Sequence, residues 1–347
     1  MKIENDVKLD FTDVLFRPKR STLSSRSEVC VERTFHFKHS GRSWTGVPVI
    51  SSNMDTVSCV EMYKALSKEK MITCFHKYIN IQDIIQACKD GYSSEYFMLS
   101  TGITDRDFNN LENQVNVLKE NNIDVAFICI DVANGYMFKL LEFCKRMRTR
   151  FPNVTLVAGN VVTREIVEEL TISGVDIVKV GIGSGAVCTT RLQTGVGMPQ
   201  FSAVMECSDA AHGVGGMIIS DGGICYPGDV SKAFGGGSDF VMIGSMFAGH
   251  EECPGEVLEE DGKKYKLFYG MSSDTAMNKH HGGVASYRSS EGKTVKVPYK
   301  GPVINTIQNI LGGVRSTCTY VGANRLKDLS KCATFVRVNR QVNTFYK

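Results

Sequence analysis

The chain has 347 residues, 42% of them hydrophobic and 22% charged, and 40 Lys+Arg against 37 Asp+Glu leave a formal net charge of +3. This composition suits a chain that buries a core and excludes a mainly disordered one. The balance of charge gives no field for nucleic acid or anionic membrane, and no apolar run approaches the ~20 residues that span a bilayer.

In chain order, buried strands are predicted at Val47–Ser51, Met71–Phe75, Tyr96–Ser100, Val125–Ile130, Leu156–Ala158, Ile177–Val180, Met217–Ser220 and Phe240–Ile243. Their near-continuous apolar character suits parallel strands covered on both faces. Helical patterns intervene at Ile81–Cys88, Phe108–Lys119, Phe138–Arg148, Arg164–Ile172, Ala203–Ala211 and Asp229–Phe234. Thr163 stands where an N-cap belongs, with Glu165 and Glu168 toward the positive end of its helix.

About eight strand–helix units predict an α/β chain, a single (β/α)8 TIM barrel in one catalytic domain. The same alternation permits an open doubly wound sheet. The strand count favours the barrel, as does the Gly/Ser/Asp-rich sequence after several strand ends, where barrels place their sites. Residues 1–45 read as an N-terminal extension. Residues 251–299 are polar, Lys-rich and punctuated by glycine, with a strand-like piece at Lys264–Tyr269. They read as a mobile flap inserted after the eighth strand. A helix resumes over Val303–Leu311, and the tail after Ala323 is too short and charged to form its own core.

The 12 cysteines form no CxxC pair, and none has a histidine at zinc-ligand spacing. Reduced thiols packed as small hydrophobes are expected, and hence an intracellular, cytoplasmic protein. Met1–Asp10 alternates charges without the apolar stretch of a secretory signal.

The densest chemical pattern is Gly181-Ile182-Gly183-Ser184-Gly185-Ala186-Val187-Cys188-Thr189-Thr190-Arg191, directly after the sixth strand. It superficially fits a dinucleotide fingerprint, but no apolar helix opens after it and it lies far from a first βα turn. The other reading presents Cys188 as a nucleophile, since a thiol needs neighbouring donors or positive charge to act as a thiolate. A packed structural thiol is the bland alternative. Ser220-Asp221-Gly222-Gly223 and Gly244-Ser245 follow the seventh and eighth strands, where barrels commonly bind phosphate through backbone amides. Asp221 is then placed to accept from ribose hydroxyls. Gly292-Lys293-Thr294 is no P-loop, because Tyr287 stands where the upstream glycine is required. His280-His281 lacks partner ligands and reads as a solvated pair. A Schiff-base lysine, in a phosphate-binding barrel lyase, would have Lys179 as its candidate.

Several motifs together resemble the GMP reductases, close relatives of the IMP dehydrogenases. They are Phe11-Thr12-Asp13-Val14-Leu15, Ser52-Asn53-Met54-Asp55-Thr56-Val57, Asp131-Val132-Ala133-Asn134-Gly135-Tyr136 and Ala158-Gly159-Asn160-Val161. The Cys188 loop, Ser220-Asp221-Gly222-Gly223, Tyr269-Gly270-Met271-Ser272 and Ser290-Glu291-Gly292-Lys293-Thr294-Val295 complete the match, which covers essentially the whole chain.

The resemblance implies reductive deamination of GMP by NADPH, giving IMP, ammonia and NADP⁺ in purine interconversion and salvage. It assigns Cys188 to attack at C2 of the purine, with Thr190 and Glu291 as a proton relay. For GMP it implies Asp221, Gly222, Gly223, Gly244 and Ser245 around ribose and phosphate. Gly270, Met271, Ser272, Arg288, Ser289, Ser290 and Gly292 follow near the base. For NADPH it implies Lys77, Asp131, Val132, Ala133, Tyr287 and the stretch Ser316, Thr317, Cys318 and Thr319. Ser25 and Arg26 would reach a neighbouring subunit's cofactor, which implies a homotetramer. A monovalent cation, K⁺, would rest on carbonyls of Gly183, Gly185 and Cys188.

Ser184 and Ala186 stand where relatives usually have Pro and Ser. Ser51-Ser52 replaces alanines, and Ser245 replaces a glycine. The nearest rival is an IMP dehydrogenase lacking its regulatory subdomain. Dehydrogenases of this kind usually carry paired CBS modules after the second strand and a flap arginine that activates water. Here Phe75-His76-Lys77 runs straight into the helix at Ile81, and Arg288 is the only arginine between Glu251 and Tyr299. A catalytically silent nucleotide sensor on the same fold would not need Cys188, Thr190 and Glu291 together.

Overall fold

The structure, a computed structural model, describes residues 1, 3–282 and 289–339. Eight parallel strands close into a barrel: β1 (Val49–Ser51), β2 (Ile72–Cys74), β3 (Phe97–Thr101), β4 (Phe127–Asp131), β5 (Thr155–Val161), β6 (Ile177–Val180), β7 (Met217–Asp221) and β8 (Phe240–Ile243). Closure is made by β8 against β1, with Val241, Met242 and Ile243 opposite Val49, Ile50 and Ser51. The strands are short and almost entirely buried because the barrel interior takes one face and the surrounding helices the other. This excludes the doubly wound alternative.

The helices are α1 (Val60–Lys68), α2 (Ile81–Lys89), α3 (Asp105–Glu120), α4 (Phe138–Arg150), α5 (Arg164–Ile172), α6 (Gln200–Gly213), α7 (Pro227–Gly235) and α8 (Ile304–Val321). Helix α1 is absent from the sequence-based expectation, although Met62, Tyr63 and Leu66 bury one face of it. Helix α8 continues past Leu311 to Val321, straight through Gly312 and Gly313. Gly313 is there for contact, whereas Gly312 faces open space. A Cβ on Gly313 would lie 2.6 Å from the Cβ of Pro227, so its absence lets α8 lie against the start of α7. Thr163 occupies the N-cap position of α5, but its side chain makes no capping bond. Its Oγ1 instead accepts from the Tyr136 hydroxyl at 3.0 Å.

The N-terminal extension contributes a hairpin, Arg33–His36 paired antiparallel with Ser43–Gly46. It places Phe35, Phe37 and Trp44 against Phe127 and Phe240 of the barrel interior, with the Phe35 and Phe240 rings 4.4 Å apart. One end of the barrel is thereby plugged with aromatic rings, and function is confined to the other, where the strands' carboxyl ends emerge. Val14–Phe16 pairs antiparallel with Phe335–Arg337, so the chain's two extremities share a short sheet rather than a core of their own.

The segment after β8 has more structure than a polar loop. Leu258–Glu260, Lys263–Tyr269 and Thr294–Pro298 form a three-stranded antiparallel sheet, and a helix spans Asp274–His281. Among the described residues, no helix is long and apolar enough to cross a membrane.

Candidate active site

Cys188 sits in the loop that leaves β6 and enters a single helical turn, Thr190–Thr194. Its thiol donates to Thr190 Oγ1 at 3.2 Å, and the Thr190 hydroxyl donates to Glu291 Oε2 at 2.7 Å. The carboxylate comes from the segment inserted after β8, and the backbone explains its arrival. Thr189 N–H donates to the Glu291 carbonyl at 2.9 Å and Lys293 N–H to the Val187 carbonyl at 2.9 Å, with Cys188 bridged antiparallel to Gly292. A short ladder thus fastens the insertion to the cysteine loop. A sulfur, a hydroxyl and a carboxylate in series form a path by which the thiol proton can leave.

The glycine turn after β7 lies beneath this loop. Gly222 has φ +93°, and a Cβ there would stand 2.4 Å from Ser184 Oγ and 3.1 Å from Gly185 N. Only a residue without a side chain permits both the left-handed backbone and the close approach. Ser184, one of the departures from the family pattern, donates its hydroxyl to the Asp221 carbonyl at 3.2 Å and so ties the two loops together. Ser51, another departure, shares a 2.7 Å hydrogen bond with Ser58 inside the core, so its extra hydroxyl is satisfied. Ser245 donates to the Ile224 carbonyl at 3.1 Å.

Below the cysteine, Lys179 is the penultimate residue of β6, with its side chain only 4% exposed. Its ammonium lies 2.8 Å from Asp131 Oδ1 and 2.9 Å from Asp221 Oδ2. Asn53 donates to Asp131 at 2.8 Å, and Asn160 donates to Asp221 at 2.9 Å and to the Gly181 carbonyl at 2.8 Å. Burial pushes the Lys179 pKa down, but the Asp131 and Asp221 carboxylates outweigh it and hold the pKa well above the usual lysine value. Burial likewise pushes Asp131 up, and the Lys179 charge beside it brings the net shift below the ordinary carboxylate value. Lys179 is therefore an ammonium held between two carboxylates, without the free amine a Schiff base needs.

Three adjoining cavities open here. The first, about 250 Å³, is lined by Cys188, Thr190, Glu291, Asp221, Val132 and Met271 among others. A second, about 310 Å³, includes His76, Lys77 and Tyr78, and shares Asn53, Asp131, Ala133, Met271 and Ser272 with the first. A third, about 80 Å³, includes Gly222, Gly223, Gly244 and Ser245, and meets the first along Ser52, Met54, Gly185, Val187 and Asp221. The sequence model of the IMP dehydrogenase / GMP reductase domain matches residues 8–343. The chain belongs to the IMP dehydrogenase/GMP reductase family. A protein named GMP reductase from Photobacterium profundum is 58% identical over 348 residues, covering 100% of this chain and 99% of that protein. Proteins of the same name from Salmonella typhi and Salmonella newport are 57% identical over the same length, with the same coverage.

For this family member, the structure gathers most of the residues expected from sequence. Gly270, Met271 and Ser272 line the first cavity, and so do Gly183 and Gly185. Gly292 stands opposite Cys188, and Ser290 donates to its carbonyl at 3.1 Å. Ser289 reaches Gln193 Oε1 at 3.3 Å. Lys77 is ion-paired with Asp107 at 3.1 Å. Tyr287 and Arg288 lie outside the described residues.

Two groups stand apart from the three cavities. Ser25 and Arg26 are exposed, with Ser25 capping the turn Arg26–Glu28. Ser316 and Thr319 donate their hydroxyls to carbonyls of their own helix at 2.9 and 2.7 Å, and the Thr317 hydroxyl lies 2.9 Å from Ser231 Oγ and 3.1 Å from the Gly313 carbonyl. Cys318, itself part of α8, is fully buried, and burial pushes its thiol up to about 12.

Sequence reasoning missed the roles of Lys179, Asn53 and Asn160, although the motifs carrying both asparagines were visible. It also misread His280, which is not solvated. Its imidazole Nε2 lies 2.6 Å from Asp55 Oδ2. The side chain of His281 lies outside what the structure describes.

Proposed function

We propose that the chain is a GMP reductase, converting GMP, NADPH and a proton to IMP, ammonia and NADP⁺. One observation carries the reading: the Sγ–Oγ1–Oε2 chain of Cys188, Thr190 and Glu291 opens into a cavity continuous with two glycine turns. Backbone amides of Gly222, Gly223, Gly244 and Ser245 suit the nucleotide phosphate, with Asp221 toward the ribose. Gly270, Met271, Ser272, Ser290 and Gly292 surround the base, and Arg288 and Ser289 join them.

Cys188 passes its proton through Thr190 to Glu291 and adds as thiolate to C2, forming a C–S bond. The same relay returns a proton to the exocyclic nitrogen, because an amide anion is too poor a leaving group; the C–N bond breaks and ammonia departs. What remains is a thioimidate on Cys188. NADPH, when bound, supplies the hydride that replaces sulfur at C2. The second cavity adjoins the first along five shared residues and fits such a partner, held by Lys77, Asp131, Val132 and Ala133, with Tyr287. The Ser316–Thr319 stretch is assigned to NADPH as well, and Ser25 and Arg26, which stand apart from the three cavities, then serve the cofactor of a neighbouring copy in a homotetramer. Three neutral carbonyls, of Gly183, Gly185 and Cys188, suit a K⁺ ion as hard oxygen donors. A cytoplasmic location belongs to the same reading.

Spectrophotometry tests it. NADPH loss that requires GMP is expected, and Cys188→Ala should bind GMP without turnover. NADH formation from IMP, with no GMP-dependent NADPH loss, would replace the reading with a dehydrogenase.

A further inference from the structure

Asp55 lies in the loop after β1 and is 4% exposed. Three donors converge on its Oδ2: His280 Nε2 at 2.6 Å, the Tyr269 hydroxyl at 3.0 Å and Lys279 Nζ at 3.0 Å. All three come from the segment inserted after β8, more than two hundred residues along the chain. Lys279 also donates to the Tyr269 hydroxyl at 3.2 Å. From the loop after β2, Tyr78 stacks on the His280 ring with centroids 4.0 Å apart and planes within 4°. Burial would push Asp55 toward its neutral form, but the bonds from His280, Lys279 and Tyr269 outweigh it and keep the pKa below the usual carboxylate value.

These contacts grip one end of the helix Asp274–His281. Its other end begins at Ser273, whose side chain accepts from Ala276 N–H and whose backbone bridges to Gly292, next to Glu291. Between the two, Met277 faces the second cavity, while Met271 and Ser272 line both the second and the first. A buried carboxylate with several donors fixes geometry more tightly than apolar contact, because each bond is directional.

We propose that Asp55 is a positioning residue, seating the helix Asp274–His281 on the barrel rim so that Met271, Ser272 and Met277 form one wall of a dinucleotide subsite beside Cys188. This rests on the reductase reading for the identity of the dinucleotide, but the seating itself does not.

The test compares Asp55→Asn, His280→Leu and His280→Gln with the wild type. Asparagine keeps the shape but not the charge, leucine removes the donor, and glutamine restores one. Asp55→Asn and His280→Leu should raise KM for NADPH about tenfold or more, leave kcat within about threefold and leave the GMP dissociation constant within about twofold. Both should speed amide hydrogen exchange in residues 274–282 and leave the barrel strands protected. His280→Gln should recover most of the KM.

An unchanged KM with unchanged exchange overturns the proposal. So does a loss of protection spread over the whole barrel together with weakened GMP binding, which marks a general structural role. If Asp55→Asn does not fold, the His280 pair decides by the same criteria. If the wild type fails to oxidise NADPH with GMP, the reductase reading falls, and the exchange measurement alone judges the seating.

Discussion

Thr190 and Glu291 are joined by a 2.7 Å hydrogen bond although 101 residues separate them in the chain. The Thr190 hydroxyl accepts from the Cys188 thiol and donates to the carboxylate, an arrangement that can pass a proton in either direction without Thr190 carrying charge itself. The relay exists only while the insertion is laddered to the cysteine loop through Thr189 and Lys293.

Thr190→Ala and Glu291→Gln should each lower kcat by about 10²–10⁴, the usual contribution of a positioned acid–base group, with GMP affinity little changed. Stopped-flow and quench measurements would separate adduct formation from ammonia release. A variant of either residue that keeps wild-type kcat excludes the relay.

Removing the cation beneath the site should be costly. Lys179→Met leaves Asp131 and Asp221, both partly exposed, without their shared buried partner; breaking a fully buried cluster costs about 3–5 kcal/mol, and solvent reaching the carboxylates lowers that here to about 1–3 kcal/mol. The urea midpoint should fall accordingly, and GMP binding should weaken. Borohydride treatment of the wild type with substrate should label nothing at Lys179, since its amine is held protonated. A labelled Lys179 peptide would contradict this account.

Gly222→Ala places a methyl group into Ser184 and the backbone of Gly185 at a φ of +93°. The cysteine loop must shift to accommodate it, so GMP affinity and the alkylation rate of Cys188 should both fall by about tenfold. Part of the cost is backbone strain, about 1 kcal/mol or more for a side chain at positive φ. Adding Ser184→Gly should therefore rescue only in part. Wild-type binding in Gly222→Ala would show that the two loops do not constrain one another.

Burial pushes the imidazole of His76 down to about 4 from its ordinary 6.5. In the fold His76 stays neutral down to that pH, whereas the unfolded chain takes up a proton below about 6.5. As the pH drops from 6.5 toward 4 the unfolded state binds the extra proton and stability is lost, levelling off once both forms are charged. The stability gap between wild type and His76→Gln, read from urea midpoints at about pH 7 and about pH 5, should narrow in acid. A gap independent of pH would mean the imidazole is not buried as neutral.

Much of this protein was legible before any fold was drawn. All eight barrel strands lie where the apolar runs predict, two of them, Ile177–Val180 and Phe240–Ile243, to the residue. Burial on both faces leaves a local mark that needs no knowledge of partners. Local pattern narrowed the cysteine loop to two readings, and the family resemblance brought in Thr190 and Glu291. Where local pattern failed, tertiary contact had overruled it. The helix that seems to stop after Leu311 instead runs on, and its Gly313 lets it approach Pro227.

By itself, then, the sequence determined the alternation and the barrel, because hydrophobic period is a property of neighbouring residues, and its motifs, through the family resemblance, pointed to the side chains proposed to react. Only the tertiary structure decided that Lys179 is held between Asp131 and Asp221, that His280 belongs to Asp55, and that an insertion at residue 291 completes a site begun at residue 188. Those pairings depend on which loops meet at one rim of a closed barrel, a matter of distance in space that no spacing along the chain encodes.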